Sequence, residues 1–224
     1  PYTIRGAQRD LDDPRSRSFI RVVEAMRRVQ PSYIALENVP WFEGSNGHEL
    51  LLRTLEEGGY TWQQLTLCPS EFGIPNIRKR FYLIAGRESL HPLSEPKPRP
   101  CLLSDLIHDD AATELDVSNE LQERFGDNLH VVDANDPSAT TACFTSAYTN
   151  SPVYAGSYLR QGGRLRKFSP AEILRILGFP STFTLPETLS LRQQYKLVGN
   201  SLSLAPVRHI LNALPLRLNG TGLS

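Results

Sequence analysis

The chain has 224 residues, of which 40% are hydrophobic and 21% charged, with 24 basic and 24 acidic side chains. This composition excludes a disordered chain, because it supplies enough apolar surface for the core of one domain and a small second one. The formal net charge of +0 excludes a general attraction to nucleic acid, so any such binding must come from local basic patches.

Two further classes of protein are disfavoured by the sequence. It has no apolar run long enough to cross a bilayer and no charged-then-apolar leader, so we expect no membrane contact and a location in the cytoplasm, or else in the nucleus. The three cysteines, Cys68, Cys101 and Cys143, are too scattered for a disulfide framework or a zinc site, and no two histidines stand at ligand spacing. We therefore expect no structural metal.

The first part of the chain predicts a helix followed by a strand. Residues 12–30 carry apolar side chains at helical spacing, with Asp12 or Asp13 as a cap and a proline suited to the first turn. The next segment, SYIALENV, predicts a strand that ends near Glu37. Because its apolar residues are continuous rather than alternating, we expect this strand to be covered on both faces, as in a parallel sheet.

A second helix and two more strands follow, which completes a β-α-β-β unit. The pattern predicts a helix from about His48 to Glu57, closed by Gly58 and Gly59, and strands near residues 60–67 and 80–86. The loop between these two strands is too short for a crossover helix. We therefore expect them to pair antiparallel beside the first strand.

Regular patterns weaken after residue 87 and return near residue 169. Prolines crowd residues 92–100 and only residues 118–125 look helical, which indicates a domain boundary or a small inserted domain. The segment SPAEILRILGF then begins with a capping box, and another helical pattern runs from Ser201 to Leu214. We expect the apolar faces of these late helices to pack on the sheet of the first part.

Glu37 is the first candidate functional residue. It follows a buried strand, and open α/β sheets place their ligand crevice at the carboxyl ends of their strands. A carboxylate is costly to bury there without a partner, so a binding or catalytic role has a physical basis. The alternative is a helix cap or a surface ion pair.

Three basic or polar segments are weaker candidates. In NIRKR, Arg78 and Arg80 stand two residues apart and would point the same way at the entry to a strand, where they could clamp a phosphate, orient a carboxylate or form a solvated basic edge. The glycine-rich turn RQGGRLRK could follow a phosphate backbone or be merely solubilising. The segment GNSL, residues 199–202, could hold a polar ligand or mark a helix start.

Taken in order, these motifs resemble a known family. The succession of ENV, IPNIRKRFYLIA, CFTSAY, FSPAEILRILGFP and LVGNSLS resembles the cytosine-5 methyltransferases that use S-adenosylmethionine, over nearly the whole chain. The segment ACFTSAY resembles the signature of the tRNA-methylating branch, the tRNA-aspartate methyltransferases. Residues 87–136 are short where DNA methyltransferases carry a larger recognition domain, which points to the same branch.

The resemblance also concerns the start of the chain. Family members carry a Pro-Pro-Cys-Gln segment whose cysteine is the nucleophile, typically followed by a stretch similar to residues 1–19. We therefore expect the nucleophile, the glycine-rich cofactor loop and the acidic residue for the cofactor ribose to precede residue 1. They would belong to a longer polypeptide or to a separate N-terminal portion. None of the three cysteines has the Pro-Cys-Gln context.

The resemblance implies a role for each matched residue. Glu37 would be the acid catalyst that contacts the cytosine ring, while Arg78 and Arg80 would hold the base or its phosphates and help to keep the nucleophile ionised. Asn200 and Ser201 would close the S-adenosylmethionine pocket.

A second group of residues is expected to contact the substrate. By resemblance and by charge, this group comprises Asn38, Val39, Cys143, Phe144, Thr145, Arg160 and Arg164. The segment around Phe144 would face the cleft between the two domains, with Phe144 packed and Thr145 turned to the nucleic acid. The alternative is a strand segment buried only for packing, because Cys and Phe are both common core residues.

The implied fold is the C-terminal part of a Rossmann-like α/β methyltransferase sheet with a small target-recognition domain. Residues 1–86 would form the later half of the catalytic domain, residues 87–168 the target-recognition region, and residues 169–224 the helices that return to the catalytic domain. The implied function is transfer of a methyl group from S-adenosylmethionine to carbon 5 of cytosine, with tRNA as the favoured substrate. The alternatives are a DNA methyltransferase and a catalytically silent nucleic-acid-binding fragment or subunit.

Overall fold

The computed structural model describes residues 10–108 and 112–215, which form two compact units. The first unit combines the chain up to Leu67 with Lys79–Glu95 and with the residues from Arg208 onward. The second unit combines Cys68–Arg78 with Pro96–Val207. The predicted functional division at residues 86 and 168 stays a prediction, because the two units are defined by their packing and not by their function. Residues 1–9, part of the stretch similar to the family's sequence, lie outside the described residues.

The described helices and strands of the first unit follow the predicted order. They are α1 (Arg17–Val29), β1 (Tyr33–Asn38), α2 (Asn46–Glu57), β2 (Thr61–Leu67) and β3 (Arg80–Gly86). The sheet order is β1-β3-β2, and both pairs are antiparallel. The expected antiparallel pairing of β2 with β3 is confirmed. The expectation for β1 was wrong within the described sheet, because its side chains are half-buried or exposed and its partner β3 runs antiparallel.

Local sequence explains the ends of the first two helices. The hydroxyl of Ser45 accepts a hydrogen bond from the backbone N–H of His48 at 3.1 Å and caps α2, which ends at Glu57 with Gly58 as its C-cap, as expected. The expected cap at Asp12 or Asp13 was wrong: α1 begins at Arg17, because two short 3₁₀ turns take up the preceding residues.

The core of the first unit lies between the helices and the sheet. Its fully buried side chains come from the loop after β1, from α2 and from β3, and they are Phe42, Leu51, Leu55, Phe81, Leu83 and Ala85. Alternate residues of β3 therefore face this core, as the two-residue period of a strand requires.

The second unit contains the remaining described helices and strands. They are α3 (Asn119–Phe125), β4 (Val131–Asp133), β5 (Tyr158–Gln161), β6 (Arg164–Lys167), α4 (Pro170–Ile176), α5 (Leu191–Gly199) and α6 (Leu204–Leu211), the last of which crosses the unit boundary. β5 pairs parallel with β4 and antiparallel with β6. Gly162 and Gly163 form the turn between β5 and β6 at φ of 56° and 80°, a backbone conformation that favours glycine.

The late helices pack differently from our expectation. Ser169 and Glu172 form the predicted capping box of α4. The apolar faces of α4 and α5, however, do not pack on the first unit's sheet. They are buried in the core of the second unit, with Phe144, Tyr148 and Phe168. Of the late helical residues, only those from Arg208 onward belong to the first unit, as the expected packing on its sheet requires. Helix α5 itself was not anticipated from the sequence.

Two absences can be stated for residues 10–108 and 112–215. No helix in these ranges combines the length and apolar character needed to cross a membrane. Nor do these ranges contain a group of three or more His, Cys, Asp and Glu side chains that could hold a metal ion.

Candidate active site

Glu37 and Arg80 form an ion pair at one end of the sheet in the first unit. In the β1–β3 register Glu37 lies opposite Tyr82, so Arg80, two residues before Tyr82, is its diagonal neighbour on the same face. The Nε of Arg80 lies 3.2 Å from Oε1 of Glu37, and the two side chains are 18% and 24% exposed. Both side chains are therefore partly exposed, so a polar ligand can reach them.

The two residues after Glu37 shape the end of β1. The side-chain oxygen of Asn38 accepts a hydrogen bond from the backbone N–H of Val39 at 2.9 Å. Both residues are half-buried. Asn38 therefore fixes the chain direction where it leaves the strand, and its contact with a substrate stays a prediction.

Arg78 lies in the second unit and does not share the partners of Arg80. Its side chain is buried, and its guanidinium donates to the backbone oxygens of Phe144 at 2.8 Å and Ser201 at 2.5 Å, with Cys143 Sγ at 3.2 Å. One guanidinium therefore joins the CFT segment to the GNS segment. Its Nε has no hydrogen-bond partner among the described residues. These contacts show that Arg78 holds the CFT and GNS segments together, whereas its catalytic role stays a prediction.

The CFT and GNS segments approach each other closely at Gly199. A Cβ atom added at this position would lie 2.2 Å from the carbonyl carbon of Thr145 and 2.3 Å from the amide nitrogen of Ser146. Such contacts are with backbone and cannot be relieved by turning a side chain. Only glycine permits this packing.

We expect Gly199→Ala to destabilise the protein by about 1–3 kcal/mol, because the added methyl group forces the two segments apart and weakens the hydrogen bonds of Arg78. Urea denaturation followed by circular dichroism measures the effect. Gly126→Ala is the matched control, since a Cβ there meets nothing within 4 Å and the backbone is already helical at φ −49° and ψ −48°. Equal stability of the two variants would contradict the packing argument.

Within the CFT segment, the expected packing of Phe144 is confirmed, while the expected orientation of Thr145 toward the nucleic acid stays a prediction. Phe144 is buried and packs edge-on against Tyr148 and Phe168. The hydroxyl of Thr145 accepts a hydrogen bond from the N–H of Ala147 and so holds a local turn. Cys143 is half-buried beside Arg78. Contact of this segment with the nucleic acid stays a prediction.

The basic residues of RQGGRLRK have three different environments. Arg164 is ion-paired with Asp116 at 2.6 Å, in a partly exposed position. Arg166 is fully buried and forms a two-pronged pair with Glu172, so the suggestion that it follows a phosphate backbone was wrong. Arg160 is exposed on β5. A phosphate contact therefore stays a prediction, strongest for Arg160.

Sequence reasoning missed a basic cleft next to the CFT segment. This cleft has a volume of about 390 Å³ and is lined by Ser146, Thr149, Asn150, Arg192, Gln193 and Lys196. Arg192 and Lys196 are four residues apart on α5 and therefore share one helix face. The sequence did contain a signal for this helix, because Ser190 and Gln193 form a capping box at its start.

Comparison with known proteins gives the family. Residues 1–151 and 132–215 match the family described as C-5 cytosine-specific DNA methylase, which accounts for nearly all of the chain. The chain belongs to this family. The resemblance carried by the five sequence motifs is thereby confirmed.

Relatives and solved structures place the chain within the C-5 cytosine methylases. It is 28% identical to the tRNA (cytosine(38)-C(5))-methyltransferase of Spodoptera frugiperda over 96% of this chain and 76% of that protein. The corresponding human protein is 26% identical, with 96% and 79% covered. Among solved structures, the Entamoeba histolytica methyltransferase EhMeth is 25% identical with a TM-score of 0.85, covering 91% of this chain and 69% of that chain.

A second solved structure supports the same fold. A triple mutant of Spodoptera frugiperda DNMT2 is 27% identical with a TM-score of 0.79, covering 95% of this chain and 76% of that chain. The expected Rossmann-like α/β methyltransferase fold is thus confirmed. The assignment of individual site residues remains our prediction, and the contacts described above are its physical basis.

Proposed function

We propose that this member of the C-5 cytosine methylase family transfers a methyl group from S-adenosylmethionine to carbon 5 of a cytosine in tRNA. The family and the printed names of the tRNA-modifying relatives support the reaction and the substrate. The pair formed by Glu37 and Arg80 is the observation that carries the proposal.

The chemistry needs a group that polarises the cytosine ring. Carbon 5 of cytosine is a poor nucleophile, and addition of a cysteine thiolate to carbon 6 turns the ring into an enamine whose carbon 5 can take a methyl group. Charge develops on ring nitrogen 3 during that addition. A carboxyl group hydrogen-bonded there can share a proton as the charge develops, which lowers the barrier.

The Glu37–Arg80 pair can match the hydrogen-bonding edge of cytosine. Cytosine presents an amine donor and two acceptors, nitrogen 3 and oxygen 2. A protonated Glu37 can accept from the amine and donate to nitrogen 3, while the guanidinium of Arg80 donates to oxygen 2.

The cofactor would be held in part by the segment after α5. S-adenosylmethionine, when bound, supplies the activated methyl group. The exposed side chain of Asn200 and the half-buried Ser201 offer an amide and a hydroxyl, and the nearby buried hydroxyl of Ser203 has no hydrogen-bond partner among the described residues. This unused polar capacity suits a polar ligand, so the residues fit the closing part of such a site.

The basic cleft on α5 supports a nucleic-acid substrate. Arg192 and Lys196 can contact phosphates, and the hydroxyl and amide groups opposite them can contact phosphate or ribose oxygens. Among the described elements of the second unit, there is no long helix placed to enter the major groove of DNA. A folded RNA with an exposed loop base suits this surface better than duplex DNA. The predicted location in the cytoplasm or nucleus is compatible with such a substrate.

Competition methylation tests the proposal. A polypeptide that includes the family's Pro-Pro-Cys-Gln segment is given labelled S-adenosylmethionine with tRNA and duplex DNA at the same ionic strength, because salt alone changes affinity for nucleic acid. We expect the methyl group on carbon 5 of cytosine in tRNA. Preference for DNA would favour the DNA methyltransferase, and no transfer to either would favour a silent nucleic-acid-binding protein.

A further inference from the structure

Trp41 is an exposed aromatic side chain on the loop that follows Glu37. It lies in the short 3₁₀ helix Pro40–Phe42, between the end of β1 and the start of α2. Its side chain is 59% exposed, whereas the adjacent Phe42 is 0% exposed. A tryptophan is among the most costly side chains to leave in water, so its position here calls for a physical explanation.

The loop holds Trp41 on a rigid support. Phe42 packs edge-on against Phe19 and His48, with ring centroids 5.5 and 5.7 Å apart. The backbone N–H of Phe42 donates to the oxygen of Val39 at 3.0 Å. A rigid indole loses little conformational entropy when a flat ligand covers it, which makes it an effective stacking surface.

Further hydrogen bonds fix the end of this loop. The hydroxyl of Ser45 donates to the backbone oxygen of Phe42 at 2.6 Å, and the N–H of Gly44 donates to Nδ1 of His48 at 3.1 Å. Nε2 of the buried His48 ring lies 2.9 Å from Oε1 of Gln64. The loop that carries the exposed indole is therefore held by buried contacts on its C-terminal side and by β1 on its N-terminal side.

We propose that Trp41 stacks on an unpaired nucleobase of the RNA substrate, next to the cytosine that Glu37 reads. This inference rests on the proposed function. Extraction of a target base breaks its stacking with its neighbours, and an aromatic side chain beside the site can replace that lost contact. Trp41 is four residues beyond Glu37, on the loop that directly follows β1, so a base adjoining the target is within its reach along the chain.

The charge around Trp41 favours the face of a base over a phosphate. Two residues beyond Trp41 is the exposed Glu43, whose carboxylate accepts a weak hydrogen bond from Thr66 at 3.5 Å. A phosphate would be repelled by this carboxylate, whereas the face of a nucleobase is uncharged. Stacking is also tolerant of base identity, so Trp41 would add affinity without adding a second sequence requirement.

Intrinsic fluorescence provides the test, because the chain contains 2 tryptophans. In the Trp62→Phe variant, Trp41 is the remaining indole. We expect tRNA to quench its emission in a saturable way, and heparin, a polyanion without bases, to leave it unchanged. In the Trp62-containing protein, Trp41→Ala should weaken tRNA binding by about 5- to 150-fold and Trp41→Phe by less.

Phe183→Ala is the matched control, since this aromatic is also exposed, at 47%, but lies in the second unit. It should leave tRNA affinity within twofold. Equal quenching by heparin, or a tRNA mobility shift with unchanged Trp41 emission, would overturn the stacking while the proposed function stood. Absence of tRNA binding would overturn both the stacking and the RNA substrate. Methyl transfer to duplex DNA in the competition assay would identify that second failure independently.

Discussion

Replacement of Glu37 by glutamine is expected to lower methyl transfer by about two to four orders of magnitude, the range that general acid catalysis usually supplies. Glutamine has nearly the same shape and can still accept from the cytosine amine. It cannot share a proton with nitrogen 3 as charge develops there. The measurement is the single-turnover rate on tRNA with an enzyme that includes the family's Pro-Pro-Cys-Gln segment.

The matched control for this experiment is Glu49→Gln on α2. Glu49 also forms an ion pair with an arginine, at 3.4 Å from Arg53, but the pair is well exposed. We expect normal turnover and stability in this variant. Glu37→Gln should also keep its fold and its cofactor affinity. Near-normal turnover of Glu37→Gln would leave Glu37 as a structural partner of Arg80.

Removal of Glu172 is expected to produce the largest loss of stability, about 3–5 kcal/mol for Glu172→Ala, because it leaves the charge of Arg166 buried and unpaired. The two side chains are 1% and 0% exposed and are joined at 2.8 and 2.9 Å. Glu172 also accepts from the backbone N–H groups of Ser169 and His108. Urea denaturation of the full chain measures the loss.

The second unit contains a natural comparison for this buried pair. Arg164 and Asp116 form an ion pair whose side chains are 40% and 41% exposed. Asp116→Ala should cost less than about 1 kcal/mol, because solvent screens the charges of an exposed pair. A loss in Glu172→Ala no greater than that of Asp116→Ala would show that Arg166 readily finds other partners.

The same carboxylate makes stability depend on pH. Burial alone raises the pKa of Glu172, but hydrogen bonds from Arg166 and from the backbone N–H groups of His108 and Ser169 outweigh burial and lower that pKa. A lowered pKa in the folded state adds stability above the unfolded pKa of about 4.3, and this stability is lost as the pH falls through the folded value. Glu172→Gln should remove this part of the acid dependence.

Local signals predicted the elements that depend on neighbouring residues. The antiparallel β2–β3 pair followed from the length of its connection, and the start of α4 followed from a capping box whose partners are three residues apart. The Glu37–Arg80 pair could be suspected because both residues were placed at strand ends. Its contact depended on β3 rather than β2 being the neighbour of β1, which the sequence did not specify.

The different roles of Arg78 and Arg80 could not be predicted from their spacing. The rule that residues two apart share a face applies only within a strand, and β3 begins at Arg80. Arg78 precedes the strand, and its partners lie 65 to 123 residues later in the chain. The burial of Arg166 was missed for the converse reason: β6 was interpreted as a turn, so its alternation was not applied.

The contacts of Arg78 have a consequence for which residues of the CFT and GNS segments can vary. Its guanidinium donates mainly to backbone carbonyl groups, those of Phe144, Gly199 and Ser201. Every amino acid supplies the same backbone carbonyl oxygen. These hydrogen bonds therefore require an arginine at position 78 but place little restriction on the side chains of the two segments that it holds. Residues of these segments other than Gly199 can therefore vary while their backbone support stays the same.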